Sequence, residues 1–256
     1  MILINKKVKK PYISIITVCK NSSKTLERCI KSVINQNYKN YEHIIIDGGS
    51  TDQTLKIILK NKKHLRYALS EKDKNLWHAI NKGIKIAKGE VIGILNSDDV
   101  YYKNALLITS KYFKKNKIDY LFGSVLKSKI YHGYHPEKIK YKFNIYPSHS
   151  IGFFVKKKIH RKIGYYNESL QYMSDYDFFY KLIEKKLKWG CTKKKEVLGK
   201  FGEGGISSKI NIFQKIFYES KVRIINKQNI LVIISLAIVH FINYFIKNVF
   251  FIKIKI

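Results

Sequence analysis

Residues 44–52 read Ile-Ile-Ile-Asp-Gly-Gly-Ser-Thr-Asp, a β-branched apolar run that ends in an acidic, glycine-rich turn. Such a run predicts a strand, and the turn residues that follow it can cap a helix. Leu55, Ile58 and Leu59 then recur at the spacing of one apolar helical face. The stretch therefore predicts a strand, a turn and a helix in succession.

The first half of the chain repeats this alternation of strand and helix. Further apolar runs cover residues 12–18, 65–69 and 91–95, and helical patterns join the four runs. Several runs are apolar on both sides, which predicts a parallel sheet covered on both faces, hence an α/β domain. Asp47 and the pair Asp98 and Asp99 fall at the ends of two strands. Because ligands bind beyond the carboxyl ends of such sheets, these acids either share one binding rim or serve only as turn and cap residues.

The composition is that of a folded, strongly basic chain. The net charge is +32, and the hydrophobic content of 45% excludes a disordered chain, which lacks the apolar residues that offset the entropy of ordering. The charge attracts polyanions of any kind, so nucleic acid, anionic lipid and phosphorylated small molecules all stay open as partners.

The three cysteines fit neither a zinc site nor a disulfide framework, and residues 1–10 do not resemble a signal peptide. Both observations favour the cytoplasm.

The last stretch of the chain differs in character. Residues 228–246 carry no formally charged side chain and nearly reach the length of about 20 apolar residues that spans a membrane. On a helix, the polar side chains of this stretch fall within an arc of roughly 140°; they are Gln228, Asn229, Ser235, His240, Asn243 and Lys247. This pattern favours a helix in a membrane interface, with basic patches attracted to anionic lipid. Packing on the main domain and strand formation are the alternatives.

Five short motifs follow one another along the chain. They are Ser14-Ile-Ile-Thr-Val18, the acidic turn at 45–52, Ser70-Glu-Lys-Asp73 with Asn81-Lys-Gly83, Leu95-Asn-Ser-Asp-Asp99, and Ser174-Asp-Tyr-Asp177. In order and spacing they resemble the family 2 glycosyltransferases, over roughly residues 11–208. The resemblance implies a GT-A fold, with a Rossmann-like, mostly parallel central sheet flanked by helices, in a domain at 1–208. Residues 11–100 would bind a nucleotide-sugar and residues 101–208 the acceptor. The tail at 209–256 lies outside the resemblance, and its own apolar pattern predicts an amphipathic, hydrophobic helical segment that associates with a membrane.

The resemblance assigns a metal site to Asp99 and Asp98. Sugar transfer releases a nucleoside diphosphate, whose developing charge is best stabilised by a hard dication held by carboxylates. Asp99 is the expected direct ligand, and Asp98 is expected to contact the ribose or a metal-bound water. Because the motif contains no His or Cys, Mg²⁺ or Mn²⁺ is expected rather than zinc.

The resemblance also implies a pocket for a nucleotide-sugar, with uracil as the expected base. Asp47 would accept the imide N–H of uracil, Thr17 would line the same pocket, and Asp73 would be a further contact to the nucleotide. Lys82 would face the diphosphate, and an exposed helix lysine is the alternative.

On the acceptor side, the resemblance makes Asp175 the catalytic base of an inverting transfer, because a carboxylate there can take the proton of the attacking hydroxyl. From the residues alone, Asp175 is equally a helix N-cap, with Asp177 favoured by the helix dipole. Further acceptor-side candidates are Asp177, His149, Gly204 and Gly205. The two glycines belong to a segment that either closes over the diphosphate or is a plain loop.

Two functions are consistent with these features. One is an inverting glycosyltransferase on the cytoplasmic membrane face, which moves a sugar from a UDP-linked donor to a saccharide or lipid-linked acceptor in cell-surface polysaccharide synthesis. The other is a catalytically inactive α/β protein that binds polyanions or membranes, because Asn75, Trp77 and His78 stand where family members often have Gly, Tyr and Asp. Against it, carboxylates in a cleft repel phosphates unless a metal intervenes. No specific nucleic acid is expected, and the lack of G-x-G-x-x-G after the first strand excludes a nicotinamide dehydrogenase.

Overall fold

A sheet buried on both faces forms the centre of the molecule. The computed structural model describes residues 1–6, 10–141, 146, 148–202 and 210–253, with residues 247–253 described by their backbone alone. The strands are β1 (Ile2–Asn5), β2 (Ile13–Cys19), β3 (Tyr41–Asp47), β4 (Tyr67–Ser70), β5 (Val91–Asn96), β6 (Val100–Tyr101), β7 (Tyr120–Phe122), β8 (Ser124–Leu126), β9 (Ile130–Tyr131), β10 (Phe153–Lys156), β11 (Trp189–Cys191) and β12 (Val197–Lys200). The α-helices are α1 (Leu26–Ile34), α2 (Thr54–Lys60), α3 (Leu76–Ile86), α4 (Ala105–Asn116), α5 (Lys157–Ile163), α6 (Ser174–Glu184), α7 (Ile212–Ile225) and α8 (Ile230–Lys253).

Eight strands form the main sheet, in the order β1-β4-β3-β2-β5-β10-β7-β11. β2, β3, β4 and β5 run parallel, β11 runs parallel to β7, and β1 and β10 are antiparallel to their neighbours. The chain moves outward from β2 to β4 and then returns to place β5 on the other side of β2. The expected mostly parallel sheet is confirmed, and its switch point lies between β2 and β5, where sheets of this kind bind ligands.

Helices cover both faces of this sheet, because neighbouring positions on each strand point to opposite sides. Ile16 and Ile44 lie in one buried cluster with residues of α3 and α6. Ile15 and Leu95 lie in another, with residues of α1 and α4. Cys29 of α1 is fully buried and unpaired, in agreement with its place on the apolar stripe that the sequence predicts.

A second, smaller sheet differs from the sequence-based expectation. The pattern predicts one strand near residues 120–125, whereas the structure has β7 and β8 on either side of Gly123. A Cβ atom on Gly123 would lie 2.1 Å from Leu198 Cδ1, so the glycine permits the close approach of β12. β12 pairs with β8, and the second sheet has the order β6-β12-β8-β9. Strands this short carry too little periodicity to be recognised in a sequence.

The C-terminal segment is helical and packs on the rest of the protein. α7 contacts α6, and its buried Arg223 donates to the carbonyls of Ile139 at 3.2 Å and Lys140 at 2.7 Å. α8 packs on α7, where His240 Nδ1 lies 2.6 Å from Glu219 Oε2. In the parts of the chain that the structure describes, no helix combines the length and the apolar character needed to cross a membrane.

A buried ion pair between β3 and the start of β4 generates a stability prediction. Arg66 Nε donates to the Glu42 carboxylate, and both side chains are almost fully buried. Arg66→Met removes the cation and leaves a buried carboxylate, so we expect the free energy of unfolding to fall by about 3–5 kcal/mol in urea denaturation followed by circular dichroism. Lys60→Met removes an exposed ion pair with Glu27, and we expect it to cost less than about 1 kcal/mol. Equal losses in the two variants would contradict this reading.

Candidate active site

The carboxyl ends of β3, β4 and β5 meet at one rim of the main sheet. Asp47 ends β3 and is paired in register with Ser70, which ends β4. Asn96 ends β5, and the turn after it brings the Asp99 N–H to 3.1 Å from the Asn96 carbonyl. Asp47 and the pair Asp98 and Asp99 therefore lie at the same rim, as the sequence predicts.

Asp47 is fully buried and is hydrogen-bonded within its own turn. Its Oδ2 accepts from the N–H groups of Gly49 at 3.2 Å and Ser50 at 3.0 Å and from Ser70 Oγ at 2.7 Å, while Oδ1 accepts from the Ser50 hydroxyl. A carboxylate offers about four acceptor positions, so these bonds use most of its capacity. The placement of Asp47 corresponds to a turn-forming residue rather than to the expected acceptor for uracil.

Thr17 is also placed differently from the expectation that it lines the nucleotide pocket. Its side chain is fully buried, with Oγ1 2.9 Å from His43 Nε2 and 3.9 Å from Cys29 Sγ. β2 continues beyond Thr17 to Cys19, so Thr17 lies inside the strand instead of at its end. The structure therefore places this hydroxyl in the core under α1.

Asp98 and Asp99 differ sharply in their surroundings. Asp99 is buried, and its Oδ1 accepts from the Gly202 N–H at 2.9 Å while its Oδ2 accepts from Ser150 Oγ at 2.8 Å. Burial raises the pKa of Asp99 to about 7, opposed by the Gly202 hydrogen bond and assisted by the nearby charge of Asp98. Asp98 is partly exposed, its carbonyl accepts from Arg28 at 2.9 Å, and its carboxylate has no hydrogen bond among the described residues.

This difference bears on which carboxylate can hold a metal ion. Mg²⁺ is usually bound through one or two carboxylates together with substrate phosphates, so a single available carboxylate at the rim fits it. Asp98 meets that condition, whereas Asp99 would have to share oxygens that already accept hydrogen bonds. The expectation that Asp99 is the direct ligand stays a prediction, because each of its oxygens accepts one hydrogen bond and keeps a further acceptor position. Within the described ranges, no group of three or more His, Cys, Asp or Glu side chains converges as metal ligands.

Asp73 and Lys82 form a compact charged cluster beside the rim. Lys82 Nζ lies 2.6 Å from Asp73 Oδ1 and also contacts Glu71, while His78 Nδ1 lies 3.0 Å from the same Asp73 oxygen. Burial acts to lower the pKa of Lys82, but its hydrogen bonds to the two carboxylates outweigh burial and raise it. Asp73 Oδ2 is buried, has no partner among the described residues, and lies 3.4 Å from the position of a Cβ on Gly48. The structure thus gives Lys82 two carboxylate partners, so it is not the exposed helix lysine that the sequence also allowed.

The residues that depart from the family pattern at the start of α3 have structural roles. Asn75 caps α3 by accepting from the His78 N–H at 3.0 Å, and its amide donates to the Glu168 carbonyl at 2.8 Å. Trp77 is buried, stacks on Tyr166, and donates from Nε1 to the Gln171 carbonyl at 3.2 Å. α3 is thereby joined to the segment that leads into α6.

Asp175 lies in the first turn of α6 within an aromatic environment. Its side chain is partly exposed, and Oδ2 accepts from the Tyr146 hydroxyl at 3.3 Å. His149 Nε2 lies 3.0 Å from the Tyr166 hydroxyl, and the His149 ring packs edge-on against Trp77. Burial lowers the pKa of His149, although the Asp175 carboxylate acts in the opposite direction. The His149 and Tyr146 rings both pack on Phe179, so His149 and Asp175 border one aromatic cluster, and their roles on the acceptor side stay predictions.

Asp177 does not join this group. It is fully buried, with Oδ1 accepting from Asn226 Nδ2 at 2.8 Å and Oδ2 2.6 Å from Lys181 Nζ. One helical turn carries Asp175 and Asp177 on different faces, so Asp177 faces the end of α7 and not the candidate site. Gly204 and Gly205 lie outside the described residues.

Comparison with known proteins identifies the family. The sequence profile of Glycosyl transferase family 2 matches residues 14–172, which is more than half of the chain. The chain belongs to glycosyltransferase family 2. An uncharacterized glycosyltransferase of Rickettsia typhi is 30% identical over 188 residues, covering 68% of this chain and 59% of the relative. A chondroitin synthase of Pasteurella multocida is 31% identical over 185 residues, covering 68% of this chain and 19% of the synthase. The chain thus spans about three fifths of the first relative and a fifth of the second.

Solved glycosyltransferase structures share the fold. Residues 1–349 of S. aureus TarS, in complex with UDP-GlcNAc, superpose with a TM-score of 0.67 at 18% identity, over 83% of this chain and 66% of TarS. The mannosyltransferase PcManGT from Pyrobaculum calidifontis, in complex with GDP-Man and Mn²⁺, gives 0.64 at 14% identity, over 87% and 66% of the two chains. The expected GT-A fold is confirmed.

Two residues of this glycosyltransferase site carry no chemical signal in the sequence. Ser150 and Gly202 hold the Asp99 carboxylate, but a serine after a histidine and a glycine after a strand are each common. Ser150 stands where family members often have Gln, and that departure is the one available signal for it. Gly202 is recognisable only from the structure, because a Cβ at this position would lie 2.4 Å from the Asp98 carbonyl oxygen.

Gly202 provides a test of the rim geometry in this glycosyltransferase. Gly202→Ala forces its Cβ against the Asp98 backbone, and relief of that contact displaces the turn that carries both acids. Because the displaced turn carries Asp98, we expect UDP affinity in the presence of Mn²⁺ to fall about tenfold or more, measured by calorimetric titration. Overpacking of this kind also destabilises the fold by about 1–3 kcal/mol, so the titration is made well below the lowered midpoint of thermal unfolding. Unchanged nucleotide affinity would show that Gly202 does not shape the site.

Proposed function

We propose that this chain transfers a sugar from a UDP-linked donor to a saccharide or lipid-linked acceptor in the synthesis of cell-surface polysaccharide, with inversion at the sugar and with Mg²⁺ or Mn²⁺ as cofactor. One observation carries the proposal. The Asp99 carboxylate joins the rim that holds Asp98 to Ser150, which follows His149. The His149 and Tyr146 rings both pack on Phe179, and Tyr146 donates to Asp175. A carboxylate for the donor side and one for the acceptor side therefore belong to one connected site.

On the donor side, Asp98 is the residue proposed to hold the metal ion. A bound dication would neutralise the charge that develops on the nucleoside diphosphate leaving group. Asp99 contributes indirectly, because its two hydrogen bonds fix the turn on which Asp98 stands. Arg28, which donates to the Asp98 carbonyl, supports the same turn from α1.

Recognition of the nucleotide is proposed to involve Asp73 more than Asp47. Asp73 Oδ2 is a buried carboxylate oxygen that lacks a partner among the described residues, so an N–H or hydroxyl of a nucleoside would satisfy it. Support for UDP comes from the UDP-GlcNAc complex of TarS, and the chondroitin synthase relative supports a polysaccharide product. The Mn²⁺ complex of PcManGT supports a divalent cofactor.

On the acceptor side, Asp175 is proposed as the base. One of its carboxylate oxygens accepts from Tyr146, and the other has no hydrogen bond among the described residues, so it can accept the proton of an acceptor hydroxyl. Trp77 and Tyr166 pack edge-on against the His149 ring, and the Tyr166 hydroxyl lies within hydrogen-bond distance of His149 Nε2, so both residues fix the orientation of His149.

The donor half of the proposal is tested by calorimetric titration with UDP, GDP and ADP, with and without Mn²⁺. We expect selective binding of UDP that strengthens with Mn²⁺, and we expect Asp98→Asn to lose the part that depends on Mn²⁺ because one metal ligand is gone. Equal, metal-independent and salt-sensitive binding of all three nucleotides would contradict the proposal. That outcome would favour the alternative function, in which the protein binds polyanions through its net charge of +32.

The acceptor half is tested by Asp175→Asn, which keeps the shape of the side chain and removes the base. We expect turnover with a UDP-sugar to fall by about 10²–10⁴, while UDP affinity stays unchanged. Glu184→Gln, at the exposed end of the same helix, removes one carboxylate without touching the site and should retain normal turnover. Near-normal turnover of Asp175→Asn would eliminate its role as the base.

A further inference from the structure

α7 and α8 present a dense apolar surface to solvent. Of the 23 large hydrophobic side chains that are exposed in the described residues, 15 belong to these two helices. Leu231, Ile234, Ile238, Ile242 and Phe245 follow one another at helical spacing and are all exposed. Contiguous apolar surface on this scale is unusual for a free protein face and marks a site of interaction.

His240, the central polar side chain of α8, faces inward, so it adds little polar surface beside the exposed apolar side chains. His240 pairs with Glu219 of α7, and Ile233, two helical turns earlier on the same face, is buried. Ser235 donates back to the Leu231 carbonyl of its own helix at 2.8 Å. His240 of the predicted polar arc is thus turned toward α7, whereas Asn229, Ser235 and Asn243 are exposed together with the apolar side chains.

The charges of this segment are complementary to an anionic surface. From residue 210 to the end, the sequence has six lysines and a single acid, while the one arginine, Arg223, is buried against the carbonyls of Ile139 and Lys140. That acid, Glu219, is buried against His240, so it does not oppose the positive charge at the surface. Lys227 is exposed at the turn between the helices, next to the apolar start of α8.

We propose that the outer face of α7 and α8 docks on an anionic lipid membrane, with the apolar side chains in the interface and the lysines among the lipid headgroups. An apolar helix face flanked by basic side chains binds such interfaces through apolar burial together with charge attraction. A second copy of the chain would bring the same basic surface against itself, and like charges oppose that contact.

The docked surface has a fixed relation to the candidate site. Asn226 and Gln228, in the turn between α7 and α8, hydrogen-bond to Asp177 at 2.8 Å and to Tyr180 at 3.1 Å on α6. α6 also carries Asp175, so a membrane bound to α7 and α8 would present the site to an acceptor held in the same membrane. This orientation rests on the proposed function, whereas the docking itself does not.

The docking is tested by flotation of the purified full chain with lipid vesicles. We expect binding to vesicles of phosphatidylglycerol mixed with phosphatidylcholine and much weaker binding to phosphatidylcholine alone. The double variant Ile238→Glu, Phe245→Glu places two acids in the apolar stripe, and we expect its partition to the mixed vesicles to fall at least about tenfold. UDP affinity should be unchanged, which separates failure of the docking from failure of the proposed function.

The matched control is Leu59→Glu, Ile130→Glu, which adds the same charge at two exposed apolar side chains outside these helices. We expect this control to keep most of the vesicle binding. An equal loss in both double variants would show that net charge alone attracts the protein, and the docking surface would be refuted.

A second measurement does not depend on the stability of those variants. An environment-sensitive fluorophore is attached to Ile238→Cys or to Leu59→Cys, each in a Cys191→Ser background, since Cys19 and Cys29 are buried. Addition of the mixed vesicles should shift the emission to shorter wavelength only at position 238. A shift at neither position, or a dimer without lipid that the double variant dissociates, would overturn the proposal in favour of no contact or a second copy.

Discussion

The two hydrogen bonds of the Asp99 carboxylate connect parts of the chain that are far apart in sequence. One bond reaches the backbone of Gly202 after β12, and the other reaches Ser150 before β10. A buried carboxylate must be hydrogen-bonded, because an unpaired one carries a large desolvation cost. The turn after β5 is therefore held between the second sheet and the segment before β10. Asp98 keeps its position at the rim because its neighbour Asp99 is buried and hydrogen-bonded on both sides.

α3 makes the second connection between the two halves. Asn75 and Trp77 donate to carbonyls of the segment before α6, and Asn81 pairs with the backbone of Tyr166 in both directions. Each of these hydrogen bonds fixes one more point of the segment before α6, which has little regular structure of its own. Asn75 and Trp77, which depart from the family pattern, thus have a structural role, because they join α3 to the segment before α6.

The sequence predicts the sheet well because buried parallel strands leave an unambiguous pattern, and the rim follows from their common direction. It predicts single residues less well. Asp47 and Asp177 are acids at plausible places, but a sequence does not show whether a carboxylate is saturated by backbone N–H groups or paired with a lysine. Ser150 and Gly202 contribute by donating to Asp99 from the right positions, and a serine or a glycine does not by itself indicate such a role in a sequence. The same holds for α8, where the polar arc is visible in the sequence but the inward direction of His240 depends on the Glu219 partner in another helix.

The contacts between α7 and α6 also define how far the chain must extend to keep its site intact. A chain cut at residue 208 would remove Asn226 from Asp177, Arg223 from the ring of Tyr176, and Gln228 from Tyr180. The buried side of α6 would then face water, and the helix that carries Asp175 would lose much of its support. The shortest useful fragment for expression therefore extends past Gln228, well beyond the segment that defines the family. The segment from α7 to Gln228 is therefore part of the folding unit.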